Sequence, residues 1–133
     1  MLDEFMDKKM ILIVDDEEEV TRAISDAFVN QEFATLTAKD GEEGLSICLR
    51  EHPDLILLDI LMPKMGGMIM LQKLRQDEWG RQVPVIILTN VNPNTSSVLN
   101  SVLENNPAYY LVKSDVKLGG IVEKVREVLK IEN

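Results

Sequence analysis

The stretch LILLDILMPKMGG, residues 55–67, joins a short apolar run to an aspartate and then to a turn. Four consecutive large aliphatic residues bounded by polar ones are too few for a stable helix and predict a strand buried on both faces. Such strands are typical of parallel sheets whose two faces are covered by helices. Asp59 follows the apolar run directly, so the sequence places a carboxylate at the carboxyl end of a predicted core strand.

Apolar runs of similar length alternate with amphipathic stretches along the rest of the chain. The predicted strands are 10–14, 33–38, 55–58, 83–88 and 108–112. Apolar residues recur at helical spacing in five stretches that begin at Val20, Leu45, Met68, Val98 and Leu118. This alternation predicts a doubly wound α/β domain with a five-stranded parallel sheet and helices on both faces, because right-handed crossovers leave few other arrangements. We expect four of the five strands to be covered on both faces.

The net charge and the cysteine count limit the classes of function. The chain of 133 residues has 14 basic and 23 acidic residues, and its formal net charge is −9. This charge repels phosphate backbones and anionic lipids, so we expect no direct binding to nucleic acid or to membranes. The single cysteine, Cys48, excludes an intramolecular disulfide framework.

The remaining features describe one domain in a reducing compartment. Residues 10–131 are predicted to form the domain, with 1–9 as an N-terminal tail and 132–133 as the C-terminal end. The first residues lack the basic-then-apolar order of a signal peptide, and no run reaches the ~20 apolar residues of a membrane span. Together with the single cysteine, these features favour a cytoplasmic location.

Polar or charged residues follow four of the five predicted strands. In chain order they are Asp15-Asp16-Glu17, Asp59, Thr89-Asn90 and Lys113-Ser114. Because ligands of doubly wound sheets bind beyond the carboxyl ends of the strands, we expect these side chains to converge. Taken singly, Asp15 or Asp16 could cap the helix that follows. Thr89 could likewise be an ordinary strand residue or a cap, and Lys113 a solvated lysine at a strand end.

The converging groups predict a site for a phosphoryl group. Crowded carboxylates raise one another's pKa unless a cation compensates, and Mg²⁺ prefers carboxylate, water and phosphate oxygens. Lys113 would add a second positive charge, and the Thr89 hydroxyl could donate a hydrogen bond to a phosphoryl oxygen. A carboxylate such as Asp59 can itself be the nucleophile and form an aspartyl phosphate. We expect Asp59 to be exposed at the rim of the sheet, where a phosphodonor can reach it.

Four segments resemble the signatures of bacterial response-regulator receiver domains. They are IVDDE at 13–17, LLDILMPKMGG at 57–67, VIILTN at 85–90 and YLVK at 110–113. The resemblance covers nearly the whole chain and implies a flavodoxin-like fold with strand order 2-1-3-4-5. Since little sequence follows Ile131, we expect a stand-alone receiver similar to chemotaxis and sporulation regulators.

The resemblance also implies a role for each matching residue. Asp59 would be the phosphoacceptor and also a Mg²⁺ ligand. Asp16 would be a direct Mg²⁺ ligand, while Asp15 would bind the ion mostly through water. The backbone carbonyl of Leu61 would complete the protein's share of the metal ligands. Lys113 would pair with the phosphoryl group.

A two-state switch is the mechanism that the resemblance implies. The phosphoryl group would draw Thr89 inward, and Tyr110, the switch aromatic of the family, would turn into the vacated space. The face formed by the fourth predicted helix, the fifth predicted strand and the fifth predicted helix would then change shape for a downstream partner. Tyr110 could instead be an ordinary core or half-exposed tyrosine, and strand alternation puts it on the opposite face from Tyr109.

The function that follows is a signalling module and not an enzyme. A sensor histidine kinase or a histidine phosphotransfer protein would phosphorylate Asp59, and the domain would assist its own phosphoryl transfer and slow dephosphorylation. One alternative is a degenerate receiver that binds partners without phosphorylation. Another is a Mg²⁺-dependent phosphatase of the haloacid dehalogenase type, although that type carries an aspartate at the position of Leu61.

Three features depart from the usual receiver pattern. Asn90 stands where the family commonly has alanine or glycine, and we expect its amide to crowd or hydrogen-bond the phosphoryl group and to slow small phosphodonors. Ser114 replaces the usual proline, so we expect a trans peptide bond after Lys113. Leu61 and Val91 are apolar where many receivers carry a polar group that orients water, and we therefore expect a long-lived phosphoryl group.

Overall fold

The computed structural model describes residues 8–92, 100, 102 and 104–131. One sheet is formed by β1 Met10–Val14, β2 Ala34–Ala38, β3 Leu55–Leu58, β4 Val85–Thr89 and β5 Tyr109–Val112. All neighbouring strands are parallel and their order is β2-β1-β3-β4-β5, which confirms the predicted fold class and strand order.

The helices follow the strands in the predicted alternation. They are α1 Glu18–Asn30, α2 Gly41–Glu51, α3 Gly67–Gln76 and α4 Leu118–Leu129. Between β4 and β5, Asn100, Val102 and Glu104 are also helical, while positions 98, 99 and 103 of the fourth predicted stripe lie outside the described residues. Within the described ranges, no helix combines the length and the apolar character that a membrane span requires.

Alternation along β1 divides the hydrophobic core into two layers. Leu12 belongs to the layer on the α2 and α3 side, together with Leu71 of α3. Ile13 belongs to the opposite layer, together with Phe28 of α1 and Val125 of α4. Successive strand residues point to opposite faces, so each face of the sheet is covered by helices.

The two edge strands are less buried than the sequence suggested. The described side chains of β3 and β4 are all buried, and those of β1 are buried except for Met10. β2 and β5 keep mostly half-buried or exposed side chains. The expectation that four strands would be covered on both faces is therefore wrong by one strand, because β2 and β5 each lack a neighbour on one side.

β4 begins two residues later than predicted and includes Thr89. Pro84 has no N–H to donate to a neighbouring strand, so the paired segment starts at Val85. At the other end, Thr89 pairs in register with Val112 of β5. The sheet therefore holds the backbone of Thr89, and the residue after Val112 is Lys113.

The turn between β3 and α3 packs the start of the helix against the backbone of Asp59. The Gly67 N–H donates to the Ile60 carbonyl over 2.9 Å. A Cβ atom at Gly67 would lie 1.9 Å from the carbonyl oxygen of Asp59, so any side chain there requires the backbone to move. This close approach keeps α3 tight against the end of β3.

Candidate functional site

Asp15 and Asp59 stand side by side because they follow neighbouring strands in register. Val14 of β1 pairs with Leu58 of β3, and the next residue on each strand is an aspartate. Backbone hydrogen bonds continue past the strand ends, from the Asp15 N–H to the Ala38 carbonyl over 3.0 Å and from the Asp59 N–H to the Val14 carbonyl over 2.9 Å. The sheet itself therefore positions both carboxylates.

Lys113 reaches these carboxylates from the end of β5, at the start of a short 3₁₀-helix, Lys113–Asp115. Its Nζ lies 2.7 Å from Asp15 Oδ2 and 3.1 Å from Asp59 Oδ2. It also lies 3.0 Å from Glu17 Oε1. One ammonium thus makes charge-assisted contacts with three carboxylates, and the structure brings Asp15, Asp59 and Lys113 together.

Asp59 is buried, and the expectation that it would be exposed at the rim is wrong. Only 5% of the residue is accessible to solvent. Its Oδ1 accepts the N–H of Ile60 over 2.7 Å, and its Oδ2 faces the ammonium of Lys113. The carboxylate can be buried because both of its oxygens have partners.

Burial and ion pairing act in opposite directions on Asp15 and Lys113. Burial raises the pKa of the Asp15 carboxyl above its usual value, and its hydrogen bonds with Lys113 and the Glu17 N–H offset only part of this effect. For Lys113, burial lowers the pKa, but hydrogen bonds to three carboxylates outweigh it and hold the pKa above the usual lysine value. Lys113 is therefore cationic at neutral pH.

Glu17 lies close to both Asp15 and Asp59 and forms a carboxylate cluster with them. One oxygen from each of Asp15, Glu17 and Asp59 lies within 4.8 Å of the others. Asp16 is exposed and does not belong to this cluster. The Glu17 N–H donates to Asp15 Oδ1 over 2.9 Å, and this turn brings Glu17 to Lys113. The acidic run 15–17 indicated a cluster, but the path of the turn decides which residues belong to it.

Neither aspartate after β1 caps α1. Glu17 occupies the N-cap position, and its side chain makes no capping hydrogen bond. Asp15 directs Oδ1 to the Glu17 N–H and Oδ2 to Lys113. The capping interpretation is therefore not supported, and both oxygens of Asp15 serve the cluster.

Thr89 and Tyr110 are joined through Val91. Thr89 is buried at the end of β4, and its Oγ1 accepts the Val91 N–H at 3.5 Å, a long hydrogen bond. The Tyr110 hydroxyl donates to the Val91 carbonyl over 2.7 Å. Burial, followed by the nearby charge of Asp59, raises the pKa of Tyr110. Both predicted switch residues thus contact one residue of the loop that follows β4.

Tyr109 lies on the opposite face from Tyr110, as strand alternation predicted. Its hydroxyl donates to Glu127 Oε1 of α4 over 3.1 Å, and the Lys124 ammonium lies 4.1 Å from its ring centroid. Tyr110 instead packs against the core layer on the α2 and α3 side. Only one of the two tyrosines therefore faces the loop after β4.

The residues that depart from the usual receiver pattern take defined positions near the cluster. Asn90 Oδ1 accepts the Ser114 N–H over 3.0 Å, so this oxygen is engaged by the neighbouring loop. The peptide bond between Lys113 and Ser114 is trans, as predicted. The side chain of Leu61 is exposed, and 69% of the residue is accessible to solvent.

The donor set of the cluster fits Mg²⁺. With all three carboxylates ionised, Asp15, Glu17 and Asp59 carry three negative charges against the single positive charge of Lys113. Carboxylate oxygens are ligands that Mg²⁺ prefers, and its two positive charges would balance the excess. These residues could therefore hold the ion.

Residues 11–126 match the family described as "Response regulator receiver domain". The chain belongs to this family. The match runs from the second residue of β1 into α4, so it includes four strands completely and all but the first residue of β1. Receiver domains are signalling domains of two-component systems, and they bind Mg²⁺ at an acidic pocket that corresponds here to Asp15, Glu17 and Asp59.

Known regulators resemble this receiver domain in sequence. The probable transcriptional regulator ycf27 of Porphyridium aerugineum is 37% identical over 108 residues, which are 81% of this chain and 43% of the relative. The response regulator PleD of Caulobacter vibrioides is 33% identical over 103 residues, which are 77% of this chain and 22% of the relative. The chain thus spans less than half the length of either relative.

Solved structures of receiver domains resemble this one over nearly their whole length. A receiver domain protein (CheY-like) from Methanospirillum hungatei is 27% identical, with a TM-score of 0.83 over 92% of this chain and 94% of that chain. The BeF3-activated N-terminal receiver domain of RstA from Klebsiella pneumoniae is also 27% identical, with a TM-score of 0.78 over 90% of this chain and 97% of that chain. The receiver domain described here therefore has the flavodoxin-like, CheY-like fold.

Proposed function

We propose that Asp59 accepts a phosphoryl group from the phosphohistidine of a sensor histidine kinase or a histidine phosphotransfer protein, in a Mg²⁺-dependent reaction in the cytoplasm. The observation that carries the proposal is the contact of 3.1 Å between the Lys113 ammonium and Asp59 Oδ2 within a cluster of two further carboxylates. A cluster with more negative than positive charge suits a metal ion and a phosphoryl group better than a purely structural ion pair.

Asp59 Oδ2 is the proposed nucleophile. Oδ1 is held by the Ile60 N–H over 2.7 Å, which orients the carboxylate and leaves Oδ2 for the donor. A phosphorus–oxygen bond forms at Oδ2 as the phosphorus–nitrogen bond to the donor imidazole breaks, and the imidazole nitrogen keeps the electron pair and takes up a proton. Lys113 lies beside Oδ2 and offsets the charge of the transferred group. When bound, Mg²⁺ supplies Lewis-acid neutralisation of the phosphoryl oxygens.

Glu17 has a proposed part in opening the site. Asp59 is buried and its Oδ2 contacts Lys113, whereas the Glu17 side chain is exposed and lies 3.0 Å from the same ammonium. Glu17 and Asp15 are therefore two carboxylates that can keep the ammonium in place while Asp59 Oδ2 is released to the donor. Lys113 remains paired throughout, which avoids a buried unpaired charge.

The proposed switch uses the contacts of Val91. A phosphoryl group at Asp59 would accept a hydrogen bond from the Thr89 hydroxyl and draw Thr89 away from the Val91 N–H, which its oxygen accepts over a weak contact of 3.5 Å. Release of Val91 by Thr89 would also strain the hydrogen bond of 2.7 Å between Val91 and Tyr110. The surface formed by the segment between β4 and β5, by β5 and by α4 would then change for a downstream protein.

Intact-mass spectrometry tests this proposal. Wild type, Asp59→Asn and the exposed-site control Asp26→Asn are incubated with MgCl₂ and either phosphoramidate or acetyl phosphate. We expect wild type and the control to gain one phosphoryl group, and we expect Asp59→Asn or wild type with a chelator to gain none. In a second set of incubations, phosphorylated histidine kinases are the donors, because small molecules do not represent protein donors.

The same experiment separates the alternatives. If neither small donors nor any kinase of the panel phosphorylates wild type, the proposal fails in favour of a binding module that acts without phosphorylation. Continuous release of phosphate from monoesters would instead indicate a phosphatase. We expect no such turnover, because phosphatases of the haloacid dehalogenase type carry an acidic residue at the position that is an exposed leucine, Leu61, in this chain.

A further inference from the structure

A side-chain hydrogen bond links the loops that follow β4 and β5. Asn90 Oδ1 accepts the backbone N–H of Ser114 over 3.0 Å. Asn90 directly follows Thr89, and Ser114 directly follows Lys113. The bond therefore joins the loop that begins after Thr89 to the loop that carries the ammonium of the site.

This link continues the pairing of β4 with β5 beyond the strand ends. The last pair in register is Thr89 with Val112, so the regular ladder stops one residue before Lys113. Tyr110 ties the same two segments a second time through its hydrogen bond of 2.7 Å to the Val91 carbonyl. Residues 90 and 91 are thus both held by the segment 110–114.

The link restricts which residues can stand at each end. Its donor is a backbone N–H, so the acceptor must be the side-chain oxygen of Asn90 and not its amide nitrogen. A proline at position 114 has no N–H and cannot make the bond. An alanine at position 90 has no acceptor. The two residues therefore depend on each other.

We infer that Asn90 and Ser114 act as one unit that positions Lys113 at Asp59 and thereby sets the rate at which the site takes up a phosphoryl group. This inference rests on the proposed function of Asp59. With the link intact, the loop after β5 has fewer conformations, and the ammonium is kept at the buried oxygens Asp15 Oδ2 and Asp59 Oδ2. Asn90 and Ser114 are positioning residues, because they act through Lys113.

A set of variants isolates the hydrogen bond. Asn90→Ala removes the acceptor, Ser114→Pro removes the donor, and the double variant removes both. Ser114→Ala is the matched control, because it deletes the hydroxyl and keeps the backbone N–H. Urea unfolding of each variant establishes the conditions under which it is fully folded, and all rates are measured there.

Hydrogen exchange in the unphosphorylated protein tests the link directly. By NMR, we expect the amide at position 114 to exchange about 3- to 10-fold faster in Asn90→Ala than in wild type, as for the loss of one exposed hydrogen bond. In Ser114→Ala, the amide at position 114 should exchange at the wild-type rate after correction for the effect of the new side chain on the intrinsic exchange rate. Equal exchange in wild type and Asn90→Ala would overturn the link.

The rate of phosphorylation by phosphoramidate tests the positioning role. Asn90→Ala and Ser114→Pro should each react about 3- to 10-fold more slowly than wild type. The double variant should be no slower than either single variant, because the link can be broken only once. The inference would be overturned if the fold-changes of the two single variants multiplied in the double variant, or if Ser114→Ala reacted as slowly as Ser114→Pro. It would also be overturned if Asn90→Ala reacted faster than wild type, because Asn90 would then obstruct the site.

The two measurements separate this inference from the function on which it rests. If the amide at position 114 is protected in wild type but no donor phosphorylates the protein, the proposed function of Asp59 and the effect on its rate are refuted. The hydrogen bond between Asn90 and Ser114 would then have a structural role only. An unprotected amide together with normal phosphorylation of Asp59 would refute the link alone.

Discussion

The ammonium of Lys113 lies 2.7 Å from Asp15 Oδ2, and only 3% of the Asp15 side chain is exposed. Neither charge has much water to solvate it, so each depends on the other. Breaking such a buried pair by removing one partner leaves an uncompensated charge, which destabilises a protein more than the loss of a surface ion pair does. Lys113 is therefore part of the folded structure as well as of the proposed phosphoryl site.

Replacing Lys113 should make the stability of the protein depend on Mg²⁺. We expect Lys113→Met to lower the free energy of unfolding by about 3 kcal/mol in EDTA, because Asp15 and Asp59 lose their cation. Added MgCl₂ should restore more stability to this variant than to wild type, since the ion would bind oxygens that the ammonium no longer occupies. Urea unfolding with Lys117→Met, at an exposed lysine, as the control measures both effects. Equal effects of MgCl₂ on Lys113→Met and wild type would contradict the prediction.

The raised pKa of Lys113 predicts a loss of stability at alkaline pH. The folded state keeps this proton above the usual lysine pKa of 10.5, at which the unfolded state releases it. The contribution of Lys113 is therefore complete below pH 10.5 and declines above it, by up to ~1.4 kcal/mol per pH unit. In Lys113→Arg the cation persists, so urea unfolding at about pH 9 and about pH 11 should show a smaller loss than in wild type. The same loss in both proteins would exclude Lys113 as the cause.

A methyl group at position 67 should displace the end of β3. Gly67→Ala would place a Cβ 1.9 Å from the Asp59 carbonyl oxygen, and we expect a loss of about 2 kcal/mol in the free energy of unfolding. Gly119→Ala is the matched control, since nothing lies within 4 Å of its Cβ and alanine favours the helix by ~0.5–1 kcal/mol. Urea unfolding of both variants gives the comparison. A Gly67→Ala protein as stable as wild type would show that the contact is not restrictive.

The hydroxyl of Tyr110 should contribute more than that of Tyr109. Tyr110→Phe removes the half-buried hydrogen bond of 2.7 Å to Val91, and we expect a loss of about 1 kcal/mol. Tyr109→Phe removes an exposed bond to Glu127 and should change stability by less than ~0.5 kcal/mol. NMR relaxation dispersion should also show more exchange at residues 89–91 in Tyr110→Phe. An effect of equal size at both tyrosines would argue against a specific role for the Val91 contact.

Phosphorylated Asp59 should lose its phosphoryl group slowly. Leu61 and Val91, two residues after Asp59 and Thr89, have no polar group that could orient water. After removal of the donor, intact-mass spectrometry over time should show a long-lived phosphoprotein, and Leu61→Asn should shorten its half-life. Leu118→Asn, at another exposed leucine, is the control. A half-life of seconds in wild type would contradict the prediction.

Local sequence patterns predicted the framework of the fold with few errors. The apolar runs at 10–14 and 55–58 became β1 and β3 with unchanged boundaries, because a short aliphatic run between polar residues has few other stable conformations. The start of β4 moved to Val85 because Pro84 lacks a donor. The burial of the edge strands β2 and β5 was overestimated, because their exposure depends on their neighbours in the sheet and not on their own residues.

The sequence by itself determined that Asp15, Asp59, Thr89 and Lys113 end strands of one parallel sheet, because apolar periodicity and crossover handedness decide that topology. The tertiary structure decided the contact of Glu17 with Lys113, the burial of Asp59 and the pairing of Asn90 with Ser114. Lys113 and Glu17 are 96 positions apart, and their contact depends on the paths of two loops. Such contacts arise from the packing of the whole chain, which no local pattern records.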